Sequence, residues 1–554
     1  MKKIFIIFTL ILTSSTLWAQ DPVLKTLIGE VNKNLEVLKK QEIPAYFIAY
    51  RIIDLDAVNV YSSFGSIAGG EPSHRRILQV QTRVGDYTYD NSHEMKNAGE
   101  FYDFTAEQVS IEDEALSLKD FLWTKTDESY KNAIQKIQQL KANSAVNSAS
   151  EDKSPDFSKQ KADKNYEKPI YLKDQKIDVE KWKETLGRLS SLMNANKDIK
   201  DGNVYIGCEV QRRLFCNTEG SSNAENTVAF NLMINMTAIA EDGMDLPLYK
   251  TYFATKLEDL PTEAELQKEI TSMSALLTEL KKAPLADPYS GPCIISAEAA
   301  GVFFHEFFGH RVEGARMKQD GDAQTFKKKI GEKVLSEKIS VIFDPTMKTF
   351  QGQALNGSYI MDDEGVRGQR VEVVKDGILK GFLMSRTPLE GFPESNGHGR
   401  AAWYSPTPVT RQSNMLIQSS QPLSKDSMLV RLKEELKANG QEYGYLFCSV
   451  SGGFTNTNRY SPNAFNVTPL VVYRIYTDNR PQELVRGVNM IGTPLSVFSQ
   501  VLECGDDYQI FNGSCGAESG SIPVSCIAPA LLVRLVETQK KPKEGSIPPI
   551  IERP

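Results

Sequence analysis

Past its first 20 residues, the 554-residue chain has no apolar run that approaches a membrane span. That excludes a further transmembrane helix, which needs about 20 consecutive apolar residues. No short-period repeat is present either, which excludes a repeat array. Positive charge is not in surplus: 64 Lys and Arg stand against 71 Asp and Glu, a net of −7. A chain of that sign is a poor candidate for nucleic-acid binding. With 40% hydrophobic and 24% charged residues, composition leans toward neither disorder nor fibre, so a globular protein is expected. Its length implies about two to four domains. Histidine is scarce, with five in the chain.

What is present begins with MKKIFIIFTLILTSSTLWAQ. Two lysines precede an apolar run at 4–12, and Leu17-Trp18-Ala19 follows a small polar stretch. This is the layout of a secretory signal peptide cleaved after Ala19 or Gln20. The run is short for a span, so no stable membrane span is expected after cleavage. No cysteine marks a lipid-anchor site. The expected localisation is exported, periplasmic or extracellular. An exported chain meets an oxidising compartment. Seven cysteines, an odd number, leave at least one thiol over if the others form bridges. Cys208 and Cys216 lie in strand-like runs read as apposed and are a candidate pair.

The expected fold class is α+β: an N-terminal α/β region, then a large β-rich C-terminal domain that carries a metal-binding helix. The boundaries read as a signal peptide at 1–20, an N-terminal α+β domain at 21–140 and a polar linker at 141–169. A middle α+β domain follows at 170–284, then a β-rich domain at 285–540 and a flexible tail at 541–554. Leu24, Leu27, Ile28, Val31, Leu35 and Leu38 have helical spacing. A helix over 261–282 opens on a capping box of Thr262 with Glu265, and Pro284 stops it. "NVYIGCEVQRRLFCNTEG" and "NTVAFNLMINMTAIA" predict strands that pair. Asp376-Gly377 and Asp478-Asn479 are hairpin turn signals. "KANSAVNSASEDKSPDFSKQKADKNYEKP" is polar, nearly free of large aliphatics, and reads as an exposed loop.

"FFHEFFGHRVEG", at 303–314, holds two of the five histidines. The spacing is H-E-x-x-x-H. On a regular helix, residues four apart lie about 40° from one another, but five apart lie about 140° apart. A regular helix would keep His305 and His310 from one ion. Either a π-type bulge realigns them or the helix ends between them, and Gly309 is the natural place for distorted backbone. Glu306 in so apolar a stretch is costly to bury unless a metal and its water account for it. A hydrolytic zinc needs three protein ligands and an open position. Glu313 and Cys515 are the candidates for the third, and Cys515 has a disulfide with Cys504 or Cys526 as its competing role.

The chain resembles the TldD/PmbA metalloproteases. The matching stretches are "APLADPYSGPCIISAEAAGVFFHEFFGHRVEG", "GSYIMDDEGVRGQRVEVVKDGILKGFLMSR", "ELVRG" and "CGAESGSIPVSCIAPALLV", in the family's order across 283–533. The resemblance implies one divalent metal ion per chain, zinc by the family's usage, held by His305, His310 and Cys515, with Glu306 as general base. It implies a metal-dependent peptidase acting on peptides or unfolded proteins. It also implies a dimer, either a homodimer or a heterodimer with a PmbA-like subunit that lacks the motif. "SNGHGR" sits where the family has a glycine-rich loop near the site, which makes His398 a candidate substrate-binding residue. His74 and His93 are expected at the surface. The leader and the polar stretch before Pro169 depart from the family. The competing reading is a non-catalytic binding or scaffold subunit with a structural metal, which would want a fourth protein ligand.

Overall fold

The computed structural model describes residues 21–93, 104–143, 152–319, 324–404, 407–455, 465–478, 480–492, 500–541 and 550–551. The expected signal peptide and most of the expected tail lie outside them. The fold is α+β, built on two large sheets. The first has eight strands, in the order 104–109, 73–84, 45–63, 201–217, 222–239 and 164–166, with 66–69 and 245–254 added at its edges. All its pairings are antiparallel except the short one of 164–166 with 222–224. Side chains alternate across a strand. Ile48, Tyr50, Ile52, Val58 and Val60 therefore face one way, against helices Pro22–Leu38, Ala115–Asn143, Val179–Ser191 and Glu263–Lys282. Phe47, Ala49 and Arg51 face the other way, and Arg51 pairs with Asp363 of the C-terminal half at 3.1 Å. Strands from 21–140 and from 170–284 thus share a single sheet, where the sequence reading divides them.

The second sheet has eleven strands, and five of them close into a ring. Strand Gly520–Lys540 pairs with 488–492, then come 465–476, 443–455 and 290–295, and the last pairs back with Gly520–Lys540. The largest core lies here and takes in Phe303, Phe304, Phe307 and Phe308. Thr262 and Glu265 form their capping box, and Asp376 and Gly377 take positive φ in a tight hairpin joining Val374–Lys375 to Ile378–Leu379. Strands 465–476 and 483–485 pair on either side of the Asp478 turn, whose Asn479 lies outside the described residues. Among the described residues, no helix is long and apolar enough to cross a membrane.

Two expectations need correction. Cys208 and Cys216 lie on the same strand, Asp201–Asn217, opposite Phe230 and Ser222, and cannot bridge. At about 3.3 Å per residue, their Cα atoms are roughly 25 Å apart. All seven cysteines are free thiols. The polar 141–169 segment is not simply an exposed loop. Residues 144–151 lie outside the described residues, but Asp152, Asp156, Phe157 and Ser158 are buried between the two halves. The Phe157 ring is held between two guanidinium groups, Arg83 at 3.7 Å and Arg386 at 3.8 Å. Ser158 N donates to the carbonyl of Arg386, and Lys318 Nζ to that of Pro155, each bridging to the C-terminal half. A segment that buries itself through cation–π and backbone contacts carries no aliphatic signature.

Candidate metal centre

The centre is built on helix Ala297–Phe307. Ser296 caps its N-terminus by accepting from Ala299 N, and every helical residue but Glu298 is buried. A helix buried on nearly every side needs cover all round, and strands Gly520–Lys540, Tyr443–Thr455, Val501–Ala517 and Phe465–Tyr476 pack against this one. Gly301 makes the close approach possible, since a Cβ there would stand 3.1 Å from Cβ of Cys526. The helix stops at Phe307. Phe308 leaves helical geometry at φ −114°, and Gly309–Val312 turns as a 3₁₀ segment. Gly309 has no room for a side chain, because a Cβ would overlap Oε1 of Gln412. The five-residue spacing is thus met by ending the helix, not by a π bulge.

The break brings the two rings together, with centroids 4.8 Å apart and planes at 82°. Cys515 arrives from strand Val501–Ala517, part of the long hairpin with Gly520–Lys540. Its Sγ lies 3.1 Å from Nε2 of His305 and 3.4 Å from Nε2 of His310. The three donor atoms all lie within 4.8 Å of one another. Tetrahedral zinc bonds of about 2.3 Å to sulfur and about 2.0 Å to nitrogen place S and N roughly 3.5 Å apart. Donor type and spacing therefore fit a zinc-sized ion. Glu306 sits next to His305 and is 9% exposed. Its side chain lies on Gly453, where a Cβ would overlap Cγ of Glu306.

Glu313, a candidate ligand in the sequence, lies behind His310 instead. Its Oε2 accepts from His310 Nδ1 at 3.1 Å and from Arg316 Nε at 2.8 Å. That bond puts the proton on Nδ1 and turns Nε2 toward Cys515. Arg316 also pairs with Glu518 at the hairpin tip, and Arg411 Nη2 donates to the carbonyl of Cys515 at 2.6 Å. Nδ1 of His305 faces Sγ of Cys526 at 3.8 Å. Burial opposes ionisation of the Cys515 thiol, yet attraction to His305 and His310 holds it well below its usual range. Burial likewise disfavours charge on His310, but Glu313 and Cys515 lift it to about 9. Glu313 is held at about 2, against its own burial, by His310 and Arg316. Burial raises Glu306 above an ordinary carboxyl, and His305 and His310 offset part of that rise.

His398 is not part of this cluster. It is fully buried, with Nδ1 against Asn396 and Nε2 3.1 Å from Ser413 Oγ. Burial pushes it down to about 3, so it stays neutral. Its ring is thus engaged within its own loop and by Ser413. His74 is exposed, and His93 is half-buried against Asp156. Sequence reasoning missed Arg311, Arg316 and Arg411. The first two sit inside or beside the motif, but Arg411 carries no local signal at all.

Residues 288–540 match the PmbA/TldA metallopeptidase C-terminal domain. A metalloprotease of Archaeoglobus fulgidus is 31% identical over 241 residues, covering 44% of this chain and 51% of that protein. A zinc metalloprotease TldD homolog of Saccharolobus solfataricus is 28% identical over 275 residues, covering 49% and 55%. The matched stretch therefore spans about half the length of each relative. In fold, the chain is similar to TldE of Thermococcus kodakarensis, with a TM-score of 0.63 at 15% identity over 92% of this chain and 99% of that one. The C-terminal half of the chain, residues 288–540, is thus of the PmbA/TldA metallopeptidase type in sequence, and the fold of the whole is similar to that of TldE.

Proposed function

We propose that this chain is the metal-bearing, TldD-type subunit of an exported zinc peptidase that cleaves peptides or unfolded proteins. The convergence of His305, His310 and Cys515 beside a buried carboxyl at Glu306 carries the reading. Glu313 is engaged by His310 and Arg316, so among the described residues three protein donors converge on the site. Three donors favour a catalytic over a closed structural zinc. When bound, zinc supplies Lewis acidity and lowers the pKa of water toward neutrality. Glu306, with its raised carboxyl, accepts the proton of the attacking water and returns it to the leaving amine.

Strand Tyr443–Thr455 supports an extended substrate. It pairs with 465–476 on one edge, but with 290–295 only over Tyr445–Phe447 on the other. Beyond Phe447, among the described residues, no strand pairs with that edge, and Gly453 on this stretch touches Glu306. Main-chain pairing there would read peptide shape more than side chains. The leader motivates export, and the family motivates a dimer, with a second copy or with a PmbA-like subunit. The test is metal content by mass spectrometry together with hydrolysis of unfolded casein. Wild type and Glu306→Gln should hold one zinc per chain, with Glu306→Gln inactive, while His305→Ala and Cys515→Ser lose the metal. Full metal in Cys515→Ser would refute the ligand set.

A further inference from the structure

The last turn of a helix leaves carbonyls without helical N–H partners. At Phe307 this end lies between the two histidines, and Arg311 fills it. Arg311 Nη1 lies 2.9 Å from the carbonyl of Glu306, 3.2 Å from that of Phe307 and 2.7 Å from Oγ1 of Thr455. Its side chain is among the largest fully buried ones in the protein. Burying a guanidinium is costly unless acceptors hold it, so these contacts are part of the reason it sits there. Thr455 is the last residue of strand Tyr443–Thr455, and Gly453 of the same strand packs on Glu306. One planar cation thus ties the break in the motif, the backbone of Glu306 and the end of the neighbouring strand together.

We propose that Arg311 is a positioning residue that fixes Glu306 and His305 against strand Tyr443–Thr455. Its kinetic consequences rest on the peptidase reading, but its geometric ones do not. Glu306 and His305 share the helix's last turn, so an end free to fray displaces both. A misplacement of about 1 Å costs on the order of 100-fold in rate. Lysine keeps the charge but its side chain ends one atom short of Nη1, so its ammonium does not reach the three acceptors that Nη1 holds.

The test uses the full chain with Arg311→Lys, Thr455→Val and the double variant. Zinc content should remain at the wild-type level. For an unfolded peptide substrate, kcat should fall about 10- to 100-fold in Arg311→Lys with KM within about twofold. It should fall less in Thr455→Val, and the double variant should be no worse than Arg311→Lys, because both cut one link. The readout independent of hydrolysis is the visible absorption of the cobalt(II)-substituted protein, whose bands should shift in both single variants. Unchanged kcat and unchanged bands in Thr455→Val overturn the proposal. A kcat that falls only in proportion to lost metal also overturns it. If the wild type hydrolyses no peptide, the peptidase reading fails and the cobalt bands alone decide: a shift upholds the positioning role, and an unchanged spectrum sinks it.

Discussion

Glu313 is fully buried and holds His310 from behind, so its charge is tied to both stability and metal affinity. Beside His310 and Arg316 its carboxyl sits at about 2 against an ordinary 4.5. A carboxyl lowered by folding adds stability above its unfolded pKa and loses it as pH falls toward the folded one. At about 1.4 kcal/mol per unit, the lowering contributes about 3 kcal/mol near neutrality, fully present above about pH 4.5 and gone near pH 2. The rise of His310 to about 9 describes the same interaction from the other partner and is not added to it. Glu313→Gln keeps the shape but leaves Arg316 and Arg411 without their buried anion, a loss of about 3–5 kcal/mol at pH 7. It also frees the His310 ring, which should weaken zinc binding about 10- to 100-fold. Urea midpoints of the chelator-treated protein from pH 7 to pH 3 give the first quantity, and zinc competition against a chromogenic chelator gives the second. Parallel stability profiles for variant and wild type, with zinc affinities within twofold, would refute the assignment of Glu313 as the support of His310.

Two further outcomes concern Phe157 and His398. Phe157→Ala removes a buried ring and its contacts with the Arg83 and Arg386 guanidinium groups, and should destabilise the fold by about 3–5 kcal/mol in urea unfolding. A freely exposed linker residue would show almost no change. His398→Asn should lower the melting temperature, because Nε2 loses Ser413, while KM for a peptide stays at the wild-type value. A raised KM at unchanged melting temperature would instead make His398 a substrate contact.

Much of the fold was legible because its cues are local. The apolar spacing from Leu24 to Leu38, the Thr262–Glu265 box and the Asp376-Gly377 turn each act over a few residues, and each appears where the pattern places it. The 152–158 strap was not legible, because its burial depends on Arg83 and Arg386, which are remote in sequence. The Cys208–Cys216 pairing failed for a related reason. Both runs looked strand-like, but they are one strand, so the two cysteines are separated by its length.

The sequence by itself brought forward His305, Glu306 and His310 as a candidate metal motif, and showed that its spacing defeats a regular helix. It also carried the family resemblance, through the order of its C-terminal motifs. Only the tertiary structure decided how the conflict resolves. Gln412 occupies the space beside Gly309, the helix ends, and Arg311 takes up the exposed carbonyls while the hairpin lowers Cys515 onto the two rings. The same packing put Glu313 behind His310 rather than among the three converging donors, and closed His398 inside its loop. Residue type and spacing establish which atoms are able to ligate. Which of them face one point depends on contacts between segments some 200 residues apart, such as His305 with Cys515, and those contacts exist only once the two segments are packed together.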